Sequence, residues 1–385
     1  MLRILIAPSN TLIDPNYGSE ATWTYDIINY VSEFHKIIAI VGRTTAKINN
    51  AVIIETGNTK RDMFNVLLFY FKIYLIGSKF INDVDILHHM FLSSTRSQIN
   101  PLAKYAKRFI IGPIQFDFSY TQIEENMINS TVKKFSKIYG LITKKYKIKV
   151  LEKANTLIFD AYKTFDILKK NFSFIDFKNK IVKIIPPHID TDLFTYAEPL
   201  KKDHYELLTV GQLIKRKGID LIIRSLKILQ KEGFNVVLKI RGEGPQRKYL
   251  EMLAKKLDLN NVIFQERVSR KELVNLYKSC DIYVHSSYAE TIPTAIREAM
   301  SVGRPIVTTN VGVIDEYLKN GENGFLINER DEYDFAEAIA KLLSDETLRV
   351  KIGLNNRVCA LEKFSLKKLI KEWLKVYEDT YEKFP

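Results

Sequence analysis

The chain has 385 residues, 46% of them hydrophobic and 27% charged, with a net charge of +13. That length exceeds what one hydrophobic core organises, so two domains are expected, and sparse Gly and Pro exclude a low-complexity or disordered polymer. Two cysteines exclude a disulfide framework or a cysteine metal cluster, and the charge asks for an anionic partner such as nucleic acid, nucleotide phosphate or acidic lipid headgroups.

In chain order, MLRILIAPSN opens a first strand, Arg3–Pro8, whose apolar run is too short for a signal-peptide core. A polar loop and a helix over Ala21–Phe34 follow, then a strand at Ile37–Val41. The run FNVLLFYFKIYLIGSKF comes nearest to a membrane span, but Lys72 interrupts it short of the roughly 18 apolar residues a span needs. Short strands are expected at Asp85–His88, Phe109–Gly112, Thr156–Phe159 and Ile181–Ile185. The polar stretch Ala197–His204 reads as a linker. Beyond it strands recur at Leu207–Val210, Val236–Ile240, Val262–Gln265, Ile282–His285, Pro305–Thr309 and Gly324–Ile327, with helices between and two helices at the end. Cys280 precedes a strand and Cys359 lies on a helix. Such alternation predicts α/β architecture with two doubly wound, Rossmann-like domains, at residues 1–196 and 205–365, and a final helix, 366–385, returning to the first. Ligands of such sheets bind beyond the carboxyl ends of the strands.

Chemistry concentrates in the second half. In ETIPTAIREAMSVG, Glu290 lies in the loop after a strand, and Glu298 falls about one turn into a helix starting near Thr294. A helix start between two carboxylates offers unpaired N–H groups and a positive dipole end, which suit a diphosphate. A bare pair of glutamates eight apart is more often a solvated helix face, so the surrounding residues decide. The loop GQLIKRKG (Gly211, Gln212, Lys215, Arg216, Lys217) joins a strand to a helix and carries three consecutive cations able to neutralise a diphosphate. RGEGP places Gly242 and Gly244 at a strand end, where either a ligand approaches the backbone or the chain turns tightly. In the first half, Gly18 sits in PNYGSE before a helix, and DILHHM ends a strand in His88 and His89.

The segment DIYVHSSYAETIPTAIREAMSVGRPIV resembles the donor-site signature of retaining GT-B glycosyltransferases of glycosyltransferase family 4, keeping Ser286, Ser287, Glu290, Pro293, Glu298, Ala299, Met300, Gly303 and Pro305. The resemblance is close in the second half and confined to scattered positions in the first. It implies a GT-B fold whose two domains face each other across a cleft. It implies that Glu290 holds hydroxyls of a donor sugar, that Glu298 holds the ribose, and that backbone N–H groups around Thr291, Ile292 and Thr294 face sugar and phosphates. Lys217 matches the family's diphosphate lysine. Gln212 stands where arginine is frequent, leaving Lys215 or Arg216 to supply the missing charge. Gly242 and Gly244 correspond to a turn beside the nucleotide, Val268 in VSRKEL (Val268–Leu273) to the base-contacting loop, Gly18 to a loop facing the donor, and Gly112-Pro113 to a cleft-lining pair. A histidine of the first domain, His89 in preference to His88, corresponds to one contacting the donor sugar.

The implied activity is hexosyl or related transfer with retention, from a nucleotide-diphosphate sugar to a glycan or lipid-linked acceptor. No metal and no cofactor beyond that co-substrate are expected. Residues 1–195 hold 26 Lys and Arg against 17 Asp and Glu, and Lys133–Lys149 has no acidic residue. Its apolar residues Phe135, Ile138, Tyr139, Ile142 and Tyr146 recur at helical spacing, the pattern of a basic helix lying on an anionic membrane surface. The expected place is therefore the cytoplasm, peripheral at the inner face of the cell membrane. The alternatives are a sugar-nucleotide epimerase on the same fold, a non-catalytic sugar-binding protein, and a nucleic-acid binder. The last is disfavoured because the cations are not interleaved with aromatics in a known module.

Overall fold

The computed structural model describes residues 1–9, 12–15, 19–57, 63–93, 100–115 and 146–385. The chain divides into two compact units, Met1–Pro187 with Lys367–Pro385, and His188–Leu366.

The first unit is built on a parallel sheet with main strands β1 (Arg3–Ile6), β3 (Lys36–Val41), β5 (Ala51–Glu55), β6 (Ile86–His89), β8 (Phe109–Gln115), β9 (Thr156–Phe159) and β10 (Ile181–Ile184), in the order β10-β9-β8-β6-β1-β3-β5; of the two-residue strands, β2 (Leu12–Ile13) pairs with β4 (Arg43–Thr44), and β7 (Leu92–Ser93) pairs with β8. Its central strands are buried along nearly their whole length because helices cover both faces. The order reverses between β1 and β6, the switch point of a doubly wound sheet. The edge strand Ala51–Glu55 was not among the expected strands, although AVII is as apolar as the central runs; its residues are half-buried or exposed because it lies at the sheet edge. The expected strand Asp85–His88 is displaced by one residue. Gly112-Pro113 lies inside a strand rather than at its end, at the register shift between Ile111 and Ile114. A side chain at position 112 would meet the Ile158 Cβ at 2.5 Å, so glycine lets the two strands approach.

The second unit is a parallel sheet of β11 (Tyr205–Val210), β12 (Val236–Arg241), β13 (Val262–Gln265), β14 (Ile282–His285), β15 (Ile306–Thr309) and β16 (Phe325–Ile327), in the order β13-β12-β11-β14-β15-β16. Its switch point lies between β11 and β14. The unit begins ahead of the polar stretch expected as the linker. Phe194 is fully buried against the Tyr277 ring, Ser301 donates to the Phe194 carbonyl at 2.6 Å, and Arg304 donates to the Ala197 carbonyl at 2.6 Å. These contacts tie residues 188–197 to the second core.

The C-terminal helix Leu366–Lys383 buries Leu369, Ile370, Trp373, Val376 and Tyr377 among strand residues of the first sheet. Within Lys133–Lys149, residues 133–145 lie outside the described residues. The remainder opens a helix, 146–153, whose Val150 and Leu151 pack into the first core. Lys147 is buried beside the Phe172 ring, and burial pulls its pKa down to about 7. At this end Lys147, Val150 and Leu151 turn towards the sheet, because the helix has an apolar core to cover, while Tyr146 and Lys149 stay exposed. Among the described residues no helix is long and apolar enough to cross a membrane.

Candidate functional site

Two loops leave the second sheet at its switch point. Loop 211–218 follows β11 and contains a 3-10 turn, Lys215–Lys217, closed by Gly218 at φ 56°. Loop 286–293 follows β14 and runs into the helix Thr294–Val302. The loops are cross-linked. Ser286 Oγ donates to the carbonyls of Gly218 (2.8 Å) and Lys217 (3.2 Å), the Tyr288 N–H to the Arg216 carbonyl (2.8 Å), and Arg216 to the Ala289 carbonyl (2.9 Å).

Glu290 sits where they meet. Lys217 Nζ donates to its Oε1 in a short hydrogen bond, Ser287 Oγ donates to the same atom at 2.9 Å, and Arg216 NH1 lies 3.3 Å away. His285 Nε2 lies 3.7 Å from that oxygen and 3.0 Å from Ser287 Oγ. All four contacts fall on Oε1. Burial opposes ionisation of Glu290, but Lys217, His285 and Arg216 together hold its carboxyl well below the usual carboxylate range. Burial lowers the His285 pKa, so its ring is neutral near pH 7. A buried carboxylate with two cations and one uncommitted oxygen can accept a hydroxyl from a polar ligand.

Of the three expected cations, Arg216 and Lys217 join this cluster, whereas Lys215 is exposed, as is the neutral Gln212. Glu298, in the first turns of its helix, accepts from Tyr277 OH at 2.8 Å; burial pushes its carboxyl up against the pull of Tyr277, Arg270, Arg297 and Arg241. Arg241 also donates to the Val268 carbonyl at 3.1 Å, which draws Val268 towards the Glu298 environment. Thr294 Oγ1 accepts from Arg297 at 3.0 Å; Thr291 is half-buried and Ile292 buried.

The RGEGP glycines have a backbone reason. A Cβ on Gly242 would lie 1.8 Å from the Gly211 carbonyl oxygen, and one on Gly244 2.4 Å from that of Leu213, so the two turns are pressed together. Gly211 and Leu213 donate across this seam to the carbonyls of Arg241 (3.0 Å) and Glu243 (2.8 Å).

In the first unit, His88 is fully buried, with Nδ1 2.8 Å from Tyr377 OH and Nε2 2.9 Å from the Gly112 carbonyl, and burial lowers its pKa to about 4. It holds the C-terminal helix to the sheet. His89 points to the opposite sheet face by strand alternation, at the carboxyl end of β6, and is also buried. Gly18 lies outside the described residues.

Sequence reasoning missed Arg330, just past β16. It donates to the Ser286 carbonyl in a short hydrogen bond and to the Gly218 carbonyl at 3.2 Å, while its guanidinium stacks 3.7 Å over the Tyr288 ring. One planar group thus staples the two loops. It carried no motif, because its partners are backbone carbonyls distant in sequence. Gly312 was also missed: a Cβ there would sit 1.7 Å from the Glu290 carbonyl oxygen. His285 was legible only as the strand-end residue before the serine pair.

Residues 192–358 match the family model Glycosyl transferases group 1. An uncharacterized glycosyltransferase, MJ1607, of Methanocaldococcus jannaschii is 34% identical over 181 residues, 46% of this chain and 46% of that protein. The chain therefore spans less than half the length of this curated relative. Sucrose-phosphate synthase from Thermosynechococcus elongatus superposes with a TM-score of 0.76 at 16% identity, covering 99% of this chain and 100% of that one. Anabaena Alr3699/HepE, solved in complex with UDP and glucose, gives a TM-score of 0.69 at 15% identity, with 98% and 100% covered. The fold is GT-B, with two Rossmann-like domains.

Proposed function

We propose that the chain is a retaining, metal-independent glycosyltransferase of glycosyltransferase family 4, moving a hexosyl or related group from a nucleotide-diphosphate sugar to an acceptor hydroxyl. The observation that carries this reading is the cluster of Glu290, Lys217 and Arg216 at the switch point of the second sheet, inside the segment that matches the glycosyl transferase model. The first turn of helix Thr294–Val302 lies just past Glu290 and supplies unpaired N–H groups for phosphate oxygens. Donor binding of the kind seen with UDP in the Anabaena protein is the supporting parallel.

On this reading the acceptor hydroxyl oxygen attacks the anomeric carbon from the face that the diphosphate leaves. The carbon–oxygen bond to the diphosphate breaks as the new glycosidic bond forms, and the hydroxyl proton passes to a donor phosphate oxygen. Lys217 and Arg216 stabilise the departing charge, a role that Lys217 takes up by exchanging Glu290 for phosphate. Glu290 Oε2 orients a sugar hydroxyl, and Glu298 accepts from the ribose. The acceptor is a lipid-linked glycan or other membrane-associated glycoconjugate, met in the cytoplasm at the inner face of the cell membrane. Net positive charge in the first half of the chain supports that placement.

The test is release of nucleoside diphosphate from a panel of nucleotide sugars, with the product anomer assigned by NMR. Retained configuration with stoichiometric diphosphate release is expected. Epimerised donor, or binding without turnover for every donor, refutes the assignment.

A further inference from the structure

Strand alternation gives the first sheet two sides. Leu5, Ile40, Leu87 and Ile111 face one, while Ile4, Ala39, Ile86 and Ile110 face the other. Helix Ser19–Val31 and the C-terminal helix cover the second side. Helix Met63–Gly77, the turn Ala103–Tyr105, helix 146–153 and the segment from Tyr162 to Phe177 cover the first.

The two coverings differ in charge. Residues 63–81, 100–108, 146–155 and 162–180 carry 13 Lys and Arg, of which only Lys147 is buried, against three carboxylates. On the other side, residues 19–31 and 366–383 carry five lysines against six carboxylates. They differ also in exposed apolar surface. Helix Met63–Gly77 buries Phe69, Tyr70 and Ile73, yet Leu67, Phe71 and Leu75, at successive i,i+4 positions, are 53%, 58% and 47% exposed. Among the described residues, the second apolar stripe of this helix has no core to cover. Tyr74 stacks near Tyr105 beside Lys104, and Phe174, 59% exposed, borders an open groove of about 840 Å³ with Lys169, Lys170 and Lys178.

We propose that this side of the first unit is a docking surface for an anionic lipid bilayer. The stripe Leu67–Phe71–Leu75 enters the boundary between headgroups and acyl chains, and the surrounding lysines pair with lipid phosphates. Charge complementarity selects this occupant: a folded protein partner needs no one-sided excess of cations, whereas an anionic surface attracts each of them. The proposal deepens the reading of a membrane-bound acceptor and rests on it for the purpose of docking, but its test needs no activity.

Full-length protein is sedimented with vesicles of phosphatidylcholine alone or with one third phosphatidylglycerol. Binding to the mixed vesicles is expected to exceed binding to neutral ones by at least about tenfold and to weaken as salt is raised from 0.05 to about 0.5 M. A Lys104→Glu, Lys107→Glu, Lys169→Glu, Lys170→Glu variant loses it. A Leu67→Ser, Phe71→Ser, Leu75→Ser variant weakens it several-fold while keeping the wild-type tryptophan unfolding curve, since Trp23 and Trp373 both report on the first unit. Lys368→Glu, Lys371→Glu, Lys375→Glu, on the other side, leaves it unchanged. Equal binding to neutral vesicles, equal loss from the other-side variant, or a vesicle-free dimer abolished by Phe71→Ser overturns the proposal. Vesicle binding without sugar transfer sinks the enzymatic reading alone; transfer to a soluble acceptor without vesicle binding sinks this one alone.

Discussion

Replacing Lys217 with methionine keeps the length of the side chain and removes its charge. Glu290 then loses one of two cations on Oε1 but keeps Ser287 and the Arg216 contact at 3.3 Å. Both side chains are at most 16% exposed, so solvent compensates little. The loss is set at about 2 kcal/mol, within the range of one charge-assisted hydrogen bond and short of the 3–5 kcal/mol of a buried charge left wholly unpaired. That lowers the melting temperature of the second unit by roughly 4–8 °C at pH 7. The pH dependence fixes the cause. Glu290 has a folded pKa below its unfolded one, so ionised Glu290 contributes stability above about pH 4.3, and that contribution is lost as pH falls through the folded value. Losing Lys217 raises the folded value, so the gap between wild type and variant is full at pH 7 and narrows towards pH 3. Scanning calorimetry is the assay, because the two tryptophans belong to the first unit and do not report the second. A gap unchanged between pH 7 and pH 3, or no gap at pH 7, refutes the reasoning. In the same variant turnover is expected to fall by at least about two orders of magnitude.

Tyr277→Phe leaves Glu298 Oε2 without its donor and is expected to weaken nucleoside diphosphate binding by about tenfold, or 1.4 kcal/mol, measured by calorimetric titration; unchanged affinity removes Glu298 from the nucleotide site. Arg330→Ala unlinks the loops that carry Lys217 and Glu290, so kcat falls by about tenfold or more while KM changes less, and Arg330→Lys fails to restore it because one ammonium does not reproduce a planar two-carbonyl clasp. Full activity in the alanine variant makes the clasp incidental. His88 has a folded pKa of about 4 against about 6.5 unfolded, so the unfolded chain takes up a proton first and stability of the first unit falls as pH drops from about 6.5 to 4, by up to about 3 kcal/mol. Urea titrations followed by tryptophan fluorescence check it: His88→Phe should flatten that slope, and an unchanged slope assigns it to other groups.

The alternation of strands and helices was legible because buried parallel strands read as short apolar runs between polar turns. It missed Ala51–Glu55, although AVII is as apolar as the central runs, and it put residues 188–196 in the first domain, because their ties to the second core run through backbone carbonyls that composition does not reveal. The same limit applies at the site. Glu290 and Lys217 were visible as charges in loops that follow strands and Glu298 as one on the next helix, and Arg216 was one of two candidates that only geometry could separate. Arg330 and Gly312 act on main-chain atoms, so no side-chain pattern announced them. Gly242 and Gly244 were singled out, but the contact that requires glycine there is the neighbouring turn.

The position of the cluster follows from topology. Only at a switch point do adjacent strands send their following connections to opposite sides, which opens a space above the sheet. Loops 211–218 and 286–293 border that space in the second unit, and their cations would repel each other there without a carboxylate between them. Glu290 holds Lys217 and Arg216 in place, so on the proposed function an incoming diphosphate need only displace a carboxylate from cations already positioned. Arg330 fixes the loops from outside, through carbonyls that remain in place whatever Glu290 is bound to. Exchange of Lys217 between Glu290 and phosphate is therefore a side-chain movement on a rigid frame. That reasoning makes Glu290→Gln instructive: losing the negative charge should tighten binding of free nucleoside diphosphate, since the cations no longer have to leave a carboxylate, while turnover falls because the sugar loses its acceptor. Calorimetry and steady-state kinetics on one preparation decide it, and weaker diphosphate binding in Glu290→Gln would show that Glu290 does not compete with the ligand for Lys217.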